Sequence, residues 1–145
     1  MQRKEFIRSC CLAGTGAAFL PLLQGCGSSV YFAIAPETEK EIRINKSEFF
    51  YTRKEKQVTR PFVLARSSRF GHPICIYRHG DTEFSAVLME CTHNSCELRP
   101  TGNYLVCPCH GSEFSNRGIV QNPPAERNLK TFLTEVSHDE IIIRL

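Results

Sequence analysis

Two short stretches hold most of the residues in this chain that could do chemistry: Cys91-Thr-His-Asn-Ser-Cys96 and Cys107-Pro-Cys-His-Gly-Ser112. Thiolates and imidazoles are ligands for zinc, iron and iron–sulfur centres. One metal ion cannot use all six at once. In an extended or turn-forming loop, residues two apart point the same way and neighbours diverge. Cys91 and His93 can therefore converge on one centre. Cys109 and His110 are adjacent and diverge, whereas Cys107 and His110, three apart around a turn, can converge. Each loop then offers one thiolate and one imidazole and leaves one cysteine over. The leftovers, Cys96 and Cys109, are positioned to join the loops by a disulfide. A non-redox structural zinc held by two Cys and two His is the alternative. Against it, the turns lack zinc-finger spacing, and a structural zinc needs no disulfide across its loops.

Disulfides persist outside the cytoplasm, and the N-terminus agrees with that compartment. "MQRKEFIR" leads into the apolar run "CCLAGTGAAFLPLL" and then into "LLQGC" at Leu22 to Cys26. The run contains Pro21 and is short for a membrane span, so a signal peptide is the better reading. Arg3-Lys4-Glu5-Phe6-Ile7-Arg8 resembles a twin-arginine export signal with Lys in place of the second Arg. Leu23-Gln-Gly-Cys26 resembles a lipobox, whose cysteine is lipidated after cleavage. An uncleaved membrane anchor is the alternative, and it leaves the domain on the same side. The expected organisation is an export signal with lipobox over 1–26, a tether over 27–35 and one domain over 36–145.

A chain of 145 residues with 41% hydrophobic content is long enough for one packed domain. The signal carries three of the 18 basic residues and one of the 15 acidic ones, so the remainder is near neutral. That excludes a nucleic-acid footprint. Eight cysteines are a high count. Outside the two loops and the signal, only Cys75 is left; it reads as a small buried hydrophobe.

The loops must be positioned by strands. "EIRINKS", "PFVLARS", "PICIYR", "EFSAVLMEC", "NYLVCP", "LKTFLTEVS" and "EIIIRL" are short apolar or alternating runs. His79-Gly-Asp81, Thr101-Gly-Asn103, Asn116-Arg-Gly118 and Ser137-His-Asp139 are turn signals between them. The charged stretch 51–60, "YTRKEKQVTR", reads as a loop or edge. No segment after residue 30 shows a capped helical period. The fold class is all-β, an antiparallel sandwich or small barrel with a subdomain built around the two loops.

"CTHNSC" and "CPCHGS" resemble the two cluster-binding loops of Rieske iron–sulfur proteins, in the disulfide-bearing respiratory form. The resemblance covers about Phe62 to Leu145. It implies one [2Fe-2S] cluster per chain, with Cys91 and Cys107 on one iron and His93 and His110 on the other. It implies a Cys96–Cys109 disulfide, and a Ser112 hydroxyl that hydrogen-bonds a bridging sulfide. "GIVQNPPAERNL", Gly118 to Leu129, resembles the third, proline-containing loop that covers the cluster; Pro124, Ala125 and Leu129 fit it. The chain departs from the pattern at Asn94-Ser95, where Leu-Gly is frequent. It departs again at Pro123 and Glu126, and at Phe114, which stands in place of a tyrosine that hydrogen-bonds a ligand sulfur.

The chemistry explains such a ligand set. Replacing two of four thiolates by neutral imidazoles removes two negative charges, so an added electron meets less repulsion. Rieske potentials accordingly lie at roughly −150 to +300 mV. A ligand histidine can turn its second ring nitrogen to the surface, where it can hydrogen-bond a quinol oxygen. The resemblance thus implies a membrane-tethered one-electron carrier on the outer, periplasmic face of a bacterial inner membrane. It would be the iron–sulfur subunit of a complex like quinol–cytochrome c reductase. His93 and His110 would meet the quinol, beside a cytochrome b-type subunit and an acceptor cytochrome. The small Rieske subunit of a molybdenum oxidase such as arsenite oxidase is the second expectation. No nucleophile–base pair, phosphate loop or paired catalytic carboxylates stand out. The resemblance implies an electron-transfer subunit that needs a partner for turnover.

His72, His79 and His138 lie in turn-like contexts and read as solvated. Arg66 and Arg69 in "ARSSRFGH" read as a solvated loop.

Overall fold

A computed structural model describes residues 30–145; the expected signal and Cys26 lie outside the described residues. Thirteen short strands form the domain: β1 (Glu41–Asn45), β2 (Phe50–Arg53), β3 (Lys56–Thr59), β4 (Phe62–Ala65), β5 (Ile74–Arg78), β6 (Phe84–Leu88), β7 (Arg99–Thr101), β8 (Tyr104–Val106), β9 (Glu113–Ser115), β10 (Val120–Asn122), β11 (Thr131–Phe132), β12 (Thr134–Val136) and β13 (Glu140–Arg144). The only helical element among the described residues is a 3₁₀ turn at Lys46–Phe49, capped by Asn45 accepting from Ser47 N–H. No helix among them is long and apolar enough to cross a membrane.

Two antiparallel sheets pack on the two faces of a central one. The middle sheet has the order β11-β6-β5-β4. On one side lies β1-β13-β12; on the other lies β10-β9-β8-β7. The alternation along β5 explains the stacking. Ile74 and Ile76 join the core with Ile42, Ile44, Ile141 and Ile143 of the first outer sheet. Cys75 and Tyr77 point the other way, into a second core with Leu105, Phe114, Cys91 and Cys107. A strand covered on both faces must be apolar throughout, and "ICIY" is buried at every position. The expected sandwich is therefore present, with the two-loop subdomain added as a third layer.

Residues 30–35 differ from expectation. They were expected to belong to a tether over 27–35. Instead Phe32 bridges Leu64 in parallel, with Ala33 N–H donating to Leu64 O and Leu64 N–H to Tyr31 O. Backbone pairing and the inward-facing Tyr31, Ala33 and Ala35 make this segment part of the domain. The charged stretch after residue 50 is the exposed two-stranded hairpin β2–β3. Its turn residues Lys54 and Glu55 have φ of 48° and 61°, a conformation usually taken by Asn-Gly.

Gly118 shows how closely the third layer sits on the middle sheet. Its φ is +78°, and a Cβ there would lie 3.2 Å from Thr131 Cγ2 and 3.3 Å from Leu129 Cβ and Val87 Cγ1. Gly118→Ala combines backbone strain with crowding against two strands of the middle sheet. It is expected to cost about 1–3 kcal/mol, read as a fall in the thermal midpoint. An unchanged midpoint would mean the layer can lift without penalty.

Candidate metal centre

The first cysteine loop joins β6 to β7 and the second joins β8 to β9. Their backbones close in the same way. Cys91 N–H donates to Cys96 O at 2.9 Å and Ser95 N–H to Cys91 O at 2.8 Å; Cys107 N–H donates to Ser112 O at 2.8 Å and Gly111 N–H to Cys107 O at 3.0 Å. The fifth residue of each loop, Ser95 or Gly111, has φ of 50° or 81°. Ser95 therefore occupies a left-handed position where glycine costs least.

One closed frame is thus used twice with different side chains. The first loop carries its histidine third and its second cysteine sixth. The other loop carries its second cysteine third and its histidine fourth. Residue parity does not describe these loops, because both are closed turns held by backbone hydrogen bonds to their first cysteine.

Cys91 and Cys107 are unpaired and buried, at 1% and 2% exposure. Cys96 and Cys109 form the disulfide that joins the loops. His93 and His110 are exposed, with rings edge to face and centroids 4.9 Å apart. The Cys107 sulfur also lies within 4.8 Å of Cys96 and Cys109. That trio is not a ligand set, because disulfide sulfurs carry no thiolate. The free donors are two buried thiols and two neighbouring surface imidazoles, one of each from each loop. This donor set fits a two-iron centre with a sulfur end inside and a nitrogen end at the surface.

The third loop closes over the site. Ser112 is fully buried, and its Oγ accepts Ala125 N–H at 3.0 Å. The hydroxyl hydrogen stays free to donate elsewhere. This contact gives Ser112 a second task that sequence reasoning missed, holding the third loop. Thr92 Oγ1 donates to Arg127 O at 2.6 Å, and the Arg127 guanidinium returns a longer bond to Thr92 O. Thr92, His93, Pro124, Glu126 and Arg127 line an open recess of about 470 Å³ beside the first loop. Asn94, the next residue in the first loop, is exposed. Phe114 on β9 is fully buried in the core that also contains Cys91 and Cys107.

Residues 48–133, more than half of the chain, match the family described as the Rieske [2Fe-2S] domain. The chain belongs to the Rieske family. A Rieske domain binds a [2Fe-2S] cluster, and the Cys and His residues to hold one are present. The cytochrome b6-f complex iron-sulfur subunit 2 of Nostoc sp. is 32% identical over 72 residues, 48% of this chain and 40% of that protein. The ubiquinol-cytochrome c reductase iron-sulfur subunit of Bradyrhizobium diazoefficiens is 36% identical over 36% of this chain and 31% of that protein. The chain thus spans less than half the length of these relatives. The plasma membrane Rieske protein PetC3 of Synechocystis PCC 6803 superposes with a TM-score of 0.53 at 33% identity, covering 59% of this chain and 87% of that one. Membership in the Rieske family sets aside the structural zinc alternative, which the four free donors alone would have allowed.

The other singled-out residues are structural. Burial raises the Cys75 thiol well above its ordinary range, which keeps it protonated and inert. His79 is not freely solvated: its Nε2 lies 2.8 Å from Ser85 Oγ, and Ser85 donates to Asn116 O at 2.6 Å. Burial first, then the Arg117 charge, lowers its pKa. This Ser–His contact straps the β5–β6 turn to the third layer; the hydroxyl is committed to a carbonyl. His72 is also largely covered, with Nδ1 buried and 3.7 Å from Glu97. His138 is exposed, as expected. Arg69 donates to Glu39 O, and Arg66 stacks over Phe32.

Proposed function

We propose that this Rieske protein is a membrane-tethered one-electron carrier on the outer face of a bacterial inner membrane. In this reading it is the iron–sulfur subunit of a quinol-oxidising complex that passes electrons to a cytochrome. The observation that carries the reading is a pair of exposed, edge-to-face imidazoles on the same two loops as two buried, unpaired thiols. The relatives named as iron–sulfur subunits of cytochrome b6-f and ubiquinol–cytochrome c reductase complexes support it.

When bound, the cluster supplies uptake and release of a single electron. Cys91 and Cys107 would hold one iron in the dry interior, and His93 and His110 the other at the surface. The second ring nitrogen of each histidine is left to hydrogen-bond a quinol oxygen and to hold its proton. The disulfide and the third loop keep water from the thiolates. The Ser112 hydroxyl hydrogen, left free by the bond from Ala125 N–H, would be available to donate to a bound cluster's sulfide.

Phe114 offers no hydroxyl where relatives with tyrosine have one. Hydrogen bonds to cluster sulfurs favour the more negative, reduced state, so the potential is expected to lie below theirs. Phe114→Tyr restores one donor. A hydrogen bond to a charged acceptor is worth about 1.5–3 kcal/mol, of which only part differs between redox states. Taking about 1 kcal/mol gives a rise on the order of 40 mV. Ser112→Ala should lower the potential by a similar amount. Protein-film voltammetry measures both; an unchanged potential in Phe114→Tyr with intact absorbance would show that position 114 does not face a ligand sulfur.

The partner is tested by purifying the tagged protein from membranes. A b-type cytochrome with quinol–cytochrome reductase activity is expected; a molybdopterin subunit instead would overturn the assignment. Cys26→Ser should release the protein from the membrane with its spectrum intact. An unprocessed Met1 terminus on mature membrane-bound protein would defeat the lipid anchor.

A further inference from the structure

Residues 30–35 carry a pattern that electron transfer does not use. Tyr31, Ala33 and Ala35 pack inward. Val30, Phe32 and Ile34 turn outward, at 44, 37 and 76% exposure. The segment lies extended along the outer edge of β4, joined to it by the Phe32–Leu64 bridge and two backbone hydrogen bonds. A sheet edge that faces water normally carries polar or charged side chains on its outer positions. Here both sides of the strand are apolar, for three consecutive outward positions.

Cations rim the stripe. The Arg66 guanidinium lies 4.3 Å from the centroid of the Phe32 ring. An open groove of about 560 Å³ beside Val30 is walled by Tyr51, Arg53, Arg60 and Phe62. The β2–β3 turn next to it adds Lys54 and Lys56 against one acid, Glu55. Arg60 is spoken for by Glu48 O and Phe50 O. Arg53, Lys54, Lys56 and Arg66 form no ion pair among the described residues. An apolar ridge bordered by free cations is the composition of a surface that lies in a bilayer interface.

Chain length supplies the occupant. This inference rests on the lipid anchor at Cys26 proposed above. Three residues lie between Cys26 and Val30, so four residue steps give a reach of at most about 14 Å. Because residues 30–35 belong to the sheet, no further slack exists. The anchored lipid and the apolar stripe must meet the same membrane surface.

We infer that this strand seats the domain on the membrane: Val30, Phe32 and Ile34 enter the headgroup–acyl boundary of an anionic phospholipid surface, and Arg53, Lys54, Lys56 and Arg66 pair with its phosphates. The domain then stands in a set orientation on the bilayer, and its cluster loops are presented from a fixed side.

The chain contains no tryptophan, so a single introduced indole reports its own site. Full-length, lipid-anchored Phe32→Trp, Ile34→Trp and Leu133→Trp proteins would be reconstituted into vesicles of phosphatidylglycerol and phosphatidylethanolamine, with and without brominated acyl chains. Leu133 is 67% exposed and follows β11, at the opposite edge of the middle sheet from the stripe. Cluster absorbance reports folding, and Ile34→Trp, at the most exposed stripe position, serves if Phe32→Trp does not fold. The expected result is blue-shifted emission quenched about twofold or more in the two stripe variants, with Leu133→Trp unaffected. In phosphatidylcholine alone the quenching should weaken; equal quenching there would overturn the pairing with anionic lipid. Mass spectrometry of Cys26 in the same samples separates the two readings. A lipidated chain whose stripe variants are not quenched overturns the seating and leaves the anchor standing; the stripe would then belong to a protein partner or a second copy. An unlipidated, unquenched chain overturns both. Equal quenching at Leu133→Trp also overturns the proposal, since the contact would lack orientation.

Discussion

Cys107→Ala is expected to give protein without a cluster. The thiol is 2% exposed at the head of a closed loop, with both backbone groups fixed by Ser112 and Gly111. No water can take its place as a ligand there, and the neighbouring Cys109 is committed to a disulfide. Cys91→Ala should behave alike. His93→Ala and His110→Ala should fail as well: their sites are open to water, but water is a far weaker iron ligand than imidazole. Iron and acid-labile sulfide per chain are the readout. Both are expected to fall to background in each variant, against the full [2Fe-2S] content of the parent. Normal iron content in Cys107→Ala would show that another sulfur serves as ligand.

The paired variant Cys96→Ala with Cys109→Ala should do the reverse. All four ligands remain, so the protein is expected to assemble its cluster with a near-normal spectrum. What it loses is the covalent link between the two loops. Disulfides typically contribute about 2–4 kcal/mol. The cluster should therefore bleach at a lower temperature, and faster at a fixed one, than in the parent. Ser112–Ala125 and Thr92–Arg127 still hold the third loop over the site, so room-temperature absorbance should not change. A paired variant that never incorporates iron, alongside a Cys107→Ala that does, would reverse the roles of ligand and staple.

The local chemistry of this protein is legible in its sequence because it is local. "CTHNSC" and "CPCHGS" place every ligand candidate within six residues of another. The alternation in "EIRIN" and the apolar run "ICIY" mark strands wherever they pair. Thr101-Gly-Asn103 is a tight turn between β7 and β8, with Gly102 at φ +50°. The hairpin β2–β3 escaped because its turn is Lys54-Glu55, residues with no preference for positive φ. "LKTFLTEVS" reads as one strand, yet it splits into β11 and β12, which pair in different sheets. No local propensity distinguishes those two outcomes; partners far along the chain do.

The same holds for the site. Sequence alone determined which residue types converge and that two cysteines exceed what the metal centre can use. Tertiary structure decided that the two thiols are buried and the two imidazoles exposed, because the third layer packs its core against the middle sheet and leaves only the loop tips outside. It also decided that Ser112 serves two loops, and that residues 30–35 close the sheet instead of tethering it. Strand pairing between Phe32 and Leu64 joins residues 32 positions apart. Such contacts are selected by the burial and backbone hydrogen bonding of the whole fold, which no window of sequence contains.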